Sequence, residues 1–167
     1  MSLQHSHSST PFSQRKHPIT LICDGVSGPA NIGALFRLCY ALGVQQLIFG
    51  NADPDLSSSR LRKTARGTEV VVPHETTPDV LQRLQQFKRD GHRLVALEIT
   101  SQSVPLSEYT HESDVPTVLV IGNERTGISE EILALMDSTF HIEMYGHNSS
   151  MNVVQATAIA LYQLIHT

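Results

Sequence analysis

The chain has 167 residues, 40% hydrophobic and 17% charged, with a formal net charge of −4. That balance fits one domain able to bury a core without covalent staples, and excludes a disordered, fibrous or low-complexity chain. The acidic balance also excludes a globally basic nucleic-acid binder, while leaving room for a local basic patch.

Cys23 and Cys39 lie in apolar segments without CxxC pairing and read as reduced core thiols. No apolar run has the length needed to cross a bilayer, and the N-terminus lacks the apolar core of a signal peptide. A cytoplasmic protein is expected.

In chain order, Met1 to His17 is rich in Ser and His, lacks periodicity, and is expected to be a mobile tail, with the folded domain over 18–167. Its histidines, His5, His7 and His17, are not expected to form a metal site. Ile19 to Asp24 (ITLICD) reads as a first strand, GVSGPAN as a loop, and Asn31 to Leu42 as a helix with Asn31 at the N-cap and Gly43 at C′. Within that helix Ile32, Leu35, Phe36, Leu38, Cys39 and Leu42 surround one charge, Arg37. A guanidinium cannot neutralise itself by losing a proton, so in an apolar setting it must be paired or reach a polar cleft. Arg37 is therefore the first functional candidate, against the plain alternative of an arginine that snorkels to the surface or pairs structurally.

Val44 to Phe49 reads as the second strand, followed by the turn-rich NADPDLSSS. Arg60, Arg62, Lys63 and Arg66 then form the one basic cluster, either a phosphate-contacting patch or a solvated surface. A strand is expected over Glu69 to Pro73, an amphipathic helix over Pro78 to Asp90 stopped by Gly91, and another strand over Leu94 to Ile99. After a loop around Val104 to Tyr109, Thr117 to Ile121 is a continuous apolar strand of the kind buried in parallel sheets, running directly into GNERTG. Ser129 can cap the next helix, whose first turn carries Glu130 and Glu131. The last element, His141 to Ile165, opens as a short strand and breaks at Gly146 into a polar loop (His147, Asn148, Ser149, Ser150). It ends in a helix apolar on nearly every side, which needs cover from more than one direction.

Strands thus alternate with helices, which predicts an α/β domain with a mainly parallel sheet flanked by helices. Ligands of such sheets sit beyond the carboxyl ends of strands. Gly25 to Asn31, Gly122 to Gly127 and Tyr145 to Asn152 are the loops that meet this description. Gly28 and Gly33 have the separation of a phosphate-binding loop, but Ala34 and Leu35 stand where its Lys and Ser/Thr belong, and GVSGPANIG is no dinucleotide fingerprint. GxSxG, HExxH and CxxC are absent as well.

Three segments then carry a resemblance. NIGALFRLCYALGV, IGNERTGIS and IEMYGHNSSMNVVQATAIALYQL resemble, in that order and with matching separations, the three motifs of the TrmH (SpoU) branch of the SPOUT methyltransferases, over about Ile19 to Ile165. The resemblance implies S-adenosylmethionine-dependent methylation of a ribose 2′-hydroxyl in tRNA or rRNA, a homodimer, and a deep trefoil knot at the C-terminal end. It places the cofactor on Leu97, Gly122, Ile142 and Met151, largely through backbone groups, with Ser150 nearby. The motif polar groups fall on Asn31, Arg37, Glu124, Ser150 and Asn152. Family accounts make Arg37 a base; the difficulty of deprotonating a guanidinium favours phosphate clamping and stabilisation of the reacting oxygen instead. Asn31 is expected to orient Arg37 from the helix start, and Glu124 and Asn152 to lock loops or contact RNA. RNA recognition is expected from Arg60, Arg62, Lys63 and Arg66 and the dimer surface. The chain departs from the family pattern at Glu143, where relatives commonly carry Pro. The alternative function is a non-catalytic RNA-binding protein built on the same knotted domain.

Overall fold

Six consecutive residues, Ile19 to Asp24, are buried in β1 (His17–Asp24), and all five are buried in β6 (Thr117–Ile121). Burial on both faces is what an interior parallel strand demands, and these two strands pair at the middle of the sheet. The computed structural model describes residues 12–111, 114–148 and 150–166. His5, His7, the rest of residues 1–11 and Ser149 lie outside them.

Among the described residues the sheet has seven strands in the order β3-β2-β1-β6-β4-β7-β5, with every pairing parallel. The others are β2 (Val44–Gly50), β3 (His74–Thr77), β4 (Arg93–Leu97), β5 (Val104–Pro105) and β7 (Ser138–His141). Successive strand residues feed opposite faces, so Leu21 and Cys23 of β1 join one core while Ile22 joins the other. The first core takes its helical side from α1 (Pro29–Ala41), α2 (Ser59–Ala65) and α5 (Val153–His166). The second takes it from α3 (Val80–Arg89) and α4 (Glu130–Leu133). The expected parallel α/β sheet is therefore present. Ser129 caps α4 by accepting the Ile132 N–H, and Gly43 follows α1 at φ +63°.

Several boundaries differ from expectation. Helix α1 starts at Pro29, not Asn31, with Gly28 at the cap and no side-chain capping bond. Proline suits the first helical position because its missing N–H would have no intrahelical partner there, which moves Asn31 to the third position. The neighbours expected to enclose Arg37 lie elsewhere on the helix: Ile32, Leu35, Phe36 and Cys39 are buried, whereas Arg37 is exposed. The strand expected over Glu69 to Pro73 is a 3₁₀ turn at Thr68–Val70, preceded by two left-handed residues, Arg66 (φ 54°) and Gly67 (φ 85°). That reversal delays strand pairing to His74, and Val70 and Val71 are left exposed. Strand β4 ends at Leu97, two residues short of Ile99, and β7 ends at His141, where the final strand was expected to begin. Helix α5 buries Thr157, Ala160, Leu161 and Leu164 but exposes Ile159 and Tyr162, so this chain covers one side only.

Helices α1 and α2 cross at Gly33, where an added Cβ would run into Thr64 Oγ1 and the Leu61 carbonyl oxygen. Gly33→Ala gains about 1 kcal/mol of helix propensity but must push a backbone carbonyl aside. It is expected to lower the urea unfolding free energy by about 1–3 kcal/mol, the cost of overpacking.

Candidate active site

Three strand ends set the floor of the site. Beyond β1, Gly25 takes φ +72° and its N–H donates to the Gly50 carbonyl at 2.8 Å, tying the ends of β1 and β2. The adjoining Asp24 is buried and accepts from Asn51 Nδ2 at 2.6 Å. Beyond β6, Asn123 Nδ2 donates to the Gly25 carbonyl at 2.8 Å, while Asn123 Oδ1 accepts the Arg125 N–H at 2.8 Å. The Gly127 N–H donates to the Asn123 carbonyl at 2.9 Å, closing this loop on itself. The closure requires Gly122: an added Cβ would stand 2.5 Å from the Gly127 carbonyl carbon.

One amide joins the loops across the top. Asn31 Nδ2 donates to Glu124 Oε1 at 2.5 Å, and Asn152 Nδ2 donates to Asn31 Oδ1 at 3.1 Å. Asn152 Oδ1 meanwhile accepts the Val154 N–H at 2.9 Å and so caps α5. Asn31, Glu124 and Asn152, separated by 93 and 121 residues along the chain, therefore form one chain of hydrogen bonds. The hydrogen bonds of the Asn31 amide go to Glu124 and Asn152.

Beneath this bridge lies a cleft of about 480 Å³. Leu97, Gly122, Ile142, Ser150 and Met151 all line it, as does Glu124. Its volume falls in the range of small-molecule pockets, and its apolar walls come with a few fixed polar groups. A flat apolar ring system fits the Leu97, Ile142 and Met151 walls, and Gly122, packed against the Gly127 backbone, lines the same cleft. The residues present thus fit an adenosine-bearing cofactor.

Arg37 is outside the lining, exposed, and without an ion pair among the described residues. It sits one helical turn beyond Gly33, where α2 crosses, so helix geometry puts it on the side that faces α2. On α2, Arg60, Arg62 and Lys63 are exposed while Leu61 and Ala65 are buried, and Arg66 follows at the left-handed cap. Arg62 Nε donates to the Leu56 carbonyl at 3.1 Å. Burial pushes the Cys39 thiol up to about 12 and the Cys23 thiol well above its ordinary value, so neither is a ready nucleophile. No group of three or more potential metal ligands occurs among the described residues.

Two site residues escaped the sequence reading. Asn123 was hidden inside GNERTG, although an Asn beside a Gly at a strand end is a common turn-former. Glu98 lines the cleft but falls inside the strand expected over Leu94 to Ile99. A carboxylate immediately after the apolar LVAL was its available signal.

Fold and site together define a parallel α/β domain with a cofactor-sized cleft at its strand ends and a basic face alongside. Residues 18–162 match the model of the SpoU rRNA Methylase family. The chain is 34% identical over 152 residues to tRNA (guanosine(18)-2′-O)-methyltransferase of Aquifex aeolicus, covering 91% of this chain and 71% of that enzyme. It is 30% identical over 148 residues to 23S rRNA (guanosine-2′-O-)-methyltransferase RlmB of Pseudomonas aeruginosa, covering 89% of this chain and 58% of that one. The solved SpoU methyltransferase AviRb from Streptomyces viridochromogenes, in complex with the cofactor AdoMet, superposes with a TM-score of 0.77 at 26% identity, covering 90% of this chain and 60% of that chain. The chain belongs to the SpoU rRNA methylase family.

Burial raises the Asp24 carboxyl above its ordinary value, with the Asn51 hydrogen bond opposing in part. The folded state therefore favours the protonated form, and the buried charge lowers stability at neutral pH. That cost fades as pH falls through the raised value and is gone below the ordinary value near ~3.9. Asp24→Asn keeps an acceptor for Asn51 and is expected to raise the melting temperature at neutral pH. The gain should vanish when the melts are repeated below pH ~3.5.

Proposed function

We propose that this chain is an S-adenosylmethionine-dependent methyltransferase that methylates a ribose 2′-hydroxyl in tRNA or rRNA. The observation that carries the reading is the bridge through Asn31, which gathers the polar residues of three separate motifs at the mouth of a cofactor-sized cleft. Its support from relatives is direct: the Aquifex and Pseudomonas proteins are named as 2′-O-methyltransferases of tRNA and rRNA, and AviRb was solved with AdoMet.

Bound in the cleft, S-adenosylmethionine supplies a methyl group already activated on a sulfonium. The chain has two tasks, alignment and charge stabilisation. Gly122 and the walls Leu97, Ile142 and Met151 hold the adenosine part, and Ser150 contributes a hydroxyl at the rim. The bridge keeps Glu124 and Asn152 in register across the opening. Arg37 clamps an RNA phosphate and stabilises the ribose oxygen, whose proton passes to bulk water as the methyl is transferred. The cations of α2 hold neighbouring phosphates and set the orientation of the RNA.

The same reading includes a homodimer, a deep trefoil knot formed by the C-terminal segment, a methyltransferase domain over 18–167, and a cytoplasmic location. The open side of α5 at Ile159 and Tyr162, with Tyr40 exposed on α1, supports a second copy seated there. The insertion of β4 between β6 and β7 supports a chain that passes through a segment already laid down. No helix among the described residues is long and apolar enough to cross a membrane.

Arg37→Ala is expected to lower single-turnover methyl transfer roughly 100-fold or more while leaving S-adenosylmethionine affinity unchanged. Near-normal transfer by the variant would remove Arg37 from the mechanism, and cofactor and RNA binding without transfer by the wild type would favour the non-catalytic alternative. Reversing the charge at Arg62 and Lys63 should weaken RNA binding and reduce the slope of log affinity against log salt by about 2. An unchanged slope would mean that α2 does not touch phosphate.

A further inference from the structure

Glu98 directly follows β4 and lines the cleft, yet nothing in the reaction above uses it. Its carboxylate is held in place. Oε2 accepts the Ile128 N–H at 3.1 Å, Oε1 accepts the Ile99 N–H at 2.9 Å, and the residue's own N–H donates to the Phe140 carbonyl at 3.0 Å. Gly127 admits the carboxylate, since a Cβ there would stand 2.7 Å from Oε2. The residue therefore ties three strand ends: its carboxylate reaches its own strand end and the loop after β6, and its backbone N–H reaches β7.

An ionised carboxylate has about four acceptor positions, and the backbone bonds occupy one on each oxygen. One position on each oxygen remains for a ligand. No Lys, Arg or His answers the charge in an ion pair among the described residues, and no cluster of metal ligands surrounds it. Two adjacent acceptors with fixed spacing and no donor of their own are complementary to two hydroxyls on neighbouring carbons, each donating one proton. An acidic side chain beyond a strand of a parallel sheet is a known physical solution for gripping ribose hydroxyls.

We infer that Glu98 is the ribose-diol receptor of the cleft, accepting the 2′- and 3′-hydroxyls of the cofactor's adenosine. The inference rests on the reading that the cleft binds S-adenosylmethionine, and it adds a charged side-chain contact to a site expected to work largely through backbone groups.

The test is calorimetric titration of wild type, Glu98→Ala and Glu98→Gln with S-adenosylhomocysteine and with its 2′,3′-dideoxy analogue. Neither ligand carries the sulfonium charge, so simple attraction to that charge does not enter. Wild type is expected to prefer the hydroxylated ligand by roughly 10- to 100-fold, the effect of hydrogen bonds to a charged group. In Glu98→Ala the preference should fall to about threefold or less, with affinity for the dideoxy ligand nearly unchanged. That second affinity also reports whether the cleft is intact. Glu98→Gln preserves the shape and an acceptor for Ile128, and should show an intermediate preference; it decides the matter if the alanine variant does not fold. Equal losses for both ligands in the variants would make Glu98 a loop latch and overturn the inference. Equal binding of both ligands by wild type would overturn it too while leaving the cofactor reading intact, whereas binding of neither would contradict the cofactor reading itself.

Discussion

The site depends on the primary amide of Asn31, which donates a hydrogen bond to Glu124 and accepts one from Asn152. An amide suits this position because it donates and accepts within one rigid plane. A carboxylate at residue 31 would face Glu124 charge against charge, and an alanine would leave both partners unpaired. Exposed hydrogen bonds of this type contribute only about 0.5–1.5 kcal/mol each, so the bridge does not hold the domain together. Two packed cores on either side of the sheet do that. What the bridge supplies is registry among loops whose strands are already in place.

Helix α1 carries that registry outward. It contributes Asn31 from its first turn and Arg37 six residues later, about 9 Å further along the axis. Between them Gly33 lets α2 approach closely enough to bring its cations alongside. One helix thus couples the mouth of the cofactor cleft to the face proposed for RNA, without a hinge or flexible linker between them. The geometry fits a reaction whose chemistry is carried by an activated methyl, leaving the protein chiefly to align two large ligands.

Much of the architecture was readable from the residues because the physics behind it is local. Continuous burial at Thr117–Ile121, the glycine after α1 and the Ser129 cap each follow from a few neighbouring side chains. Expectation and structure part where backbone geometry or a distant partner, rather than side-chain pattern, decides the outcome. Asn31 looks like an N-cap by local chemistry, but Pro29 claims the helix start and the Asn31 amide is engaged by residues far along the chain. Arg37 sits among apolar neighbours in sequence and on a different face from the buried ones in space. The apolar run after Glu69 resembles a strand, yet two left-handed residues ahead of it turn the chain away from the sheet. By its sequence Glu98 reads as strand interior, and only the early end of β4 exposes it to the cleft. The three motifs identified the family, but they did not say which of their side chains meet.

The most direct test of the account is the identity of the product. Purified protein would be incubated with methyl-labelled S-adenosylmethionine and total RNA, and the recovered RNA digested to nucleosides and resolved by mass. Label is expected in a 2′-O-methylated nucleoside, on the sugar and not the base. Label confined to a methylated base would contradict the account, and so would cofactor bound in the cleft with no methyl transferred to any RNA.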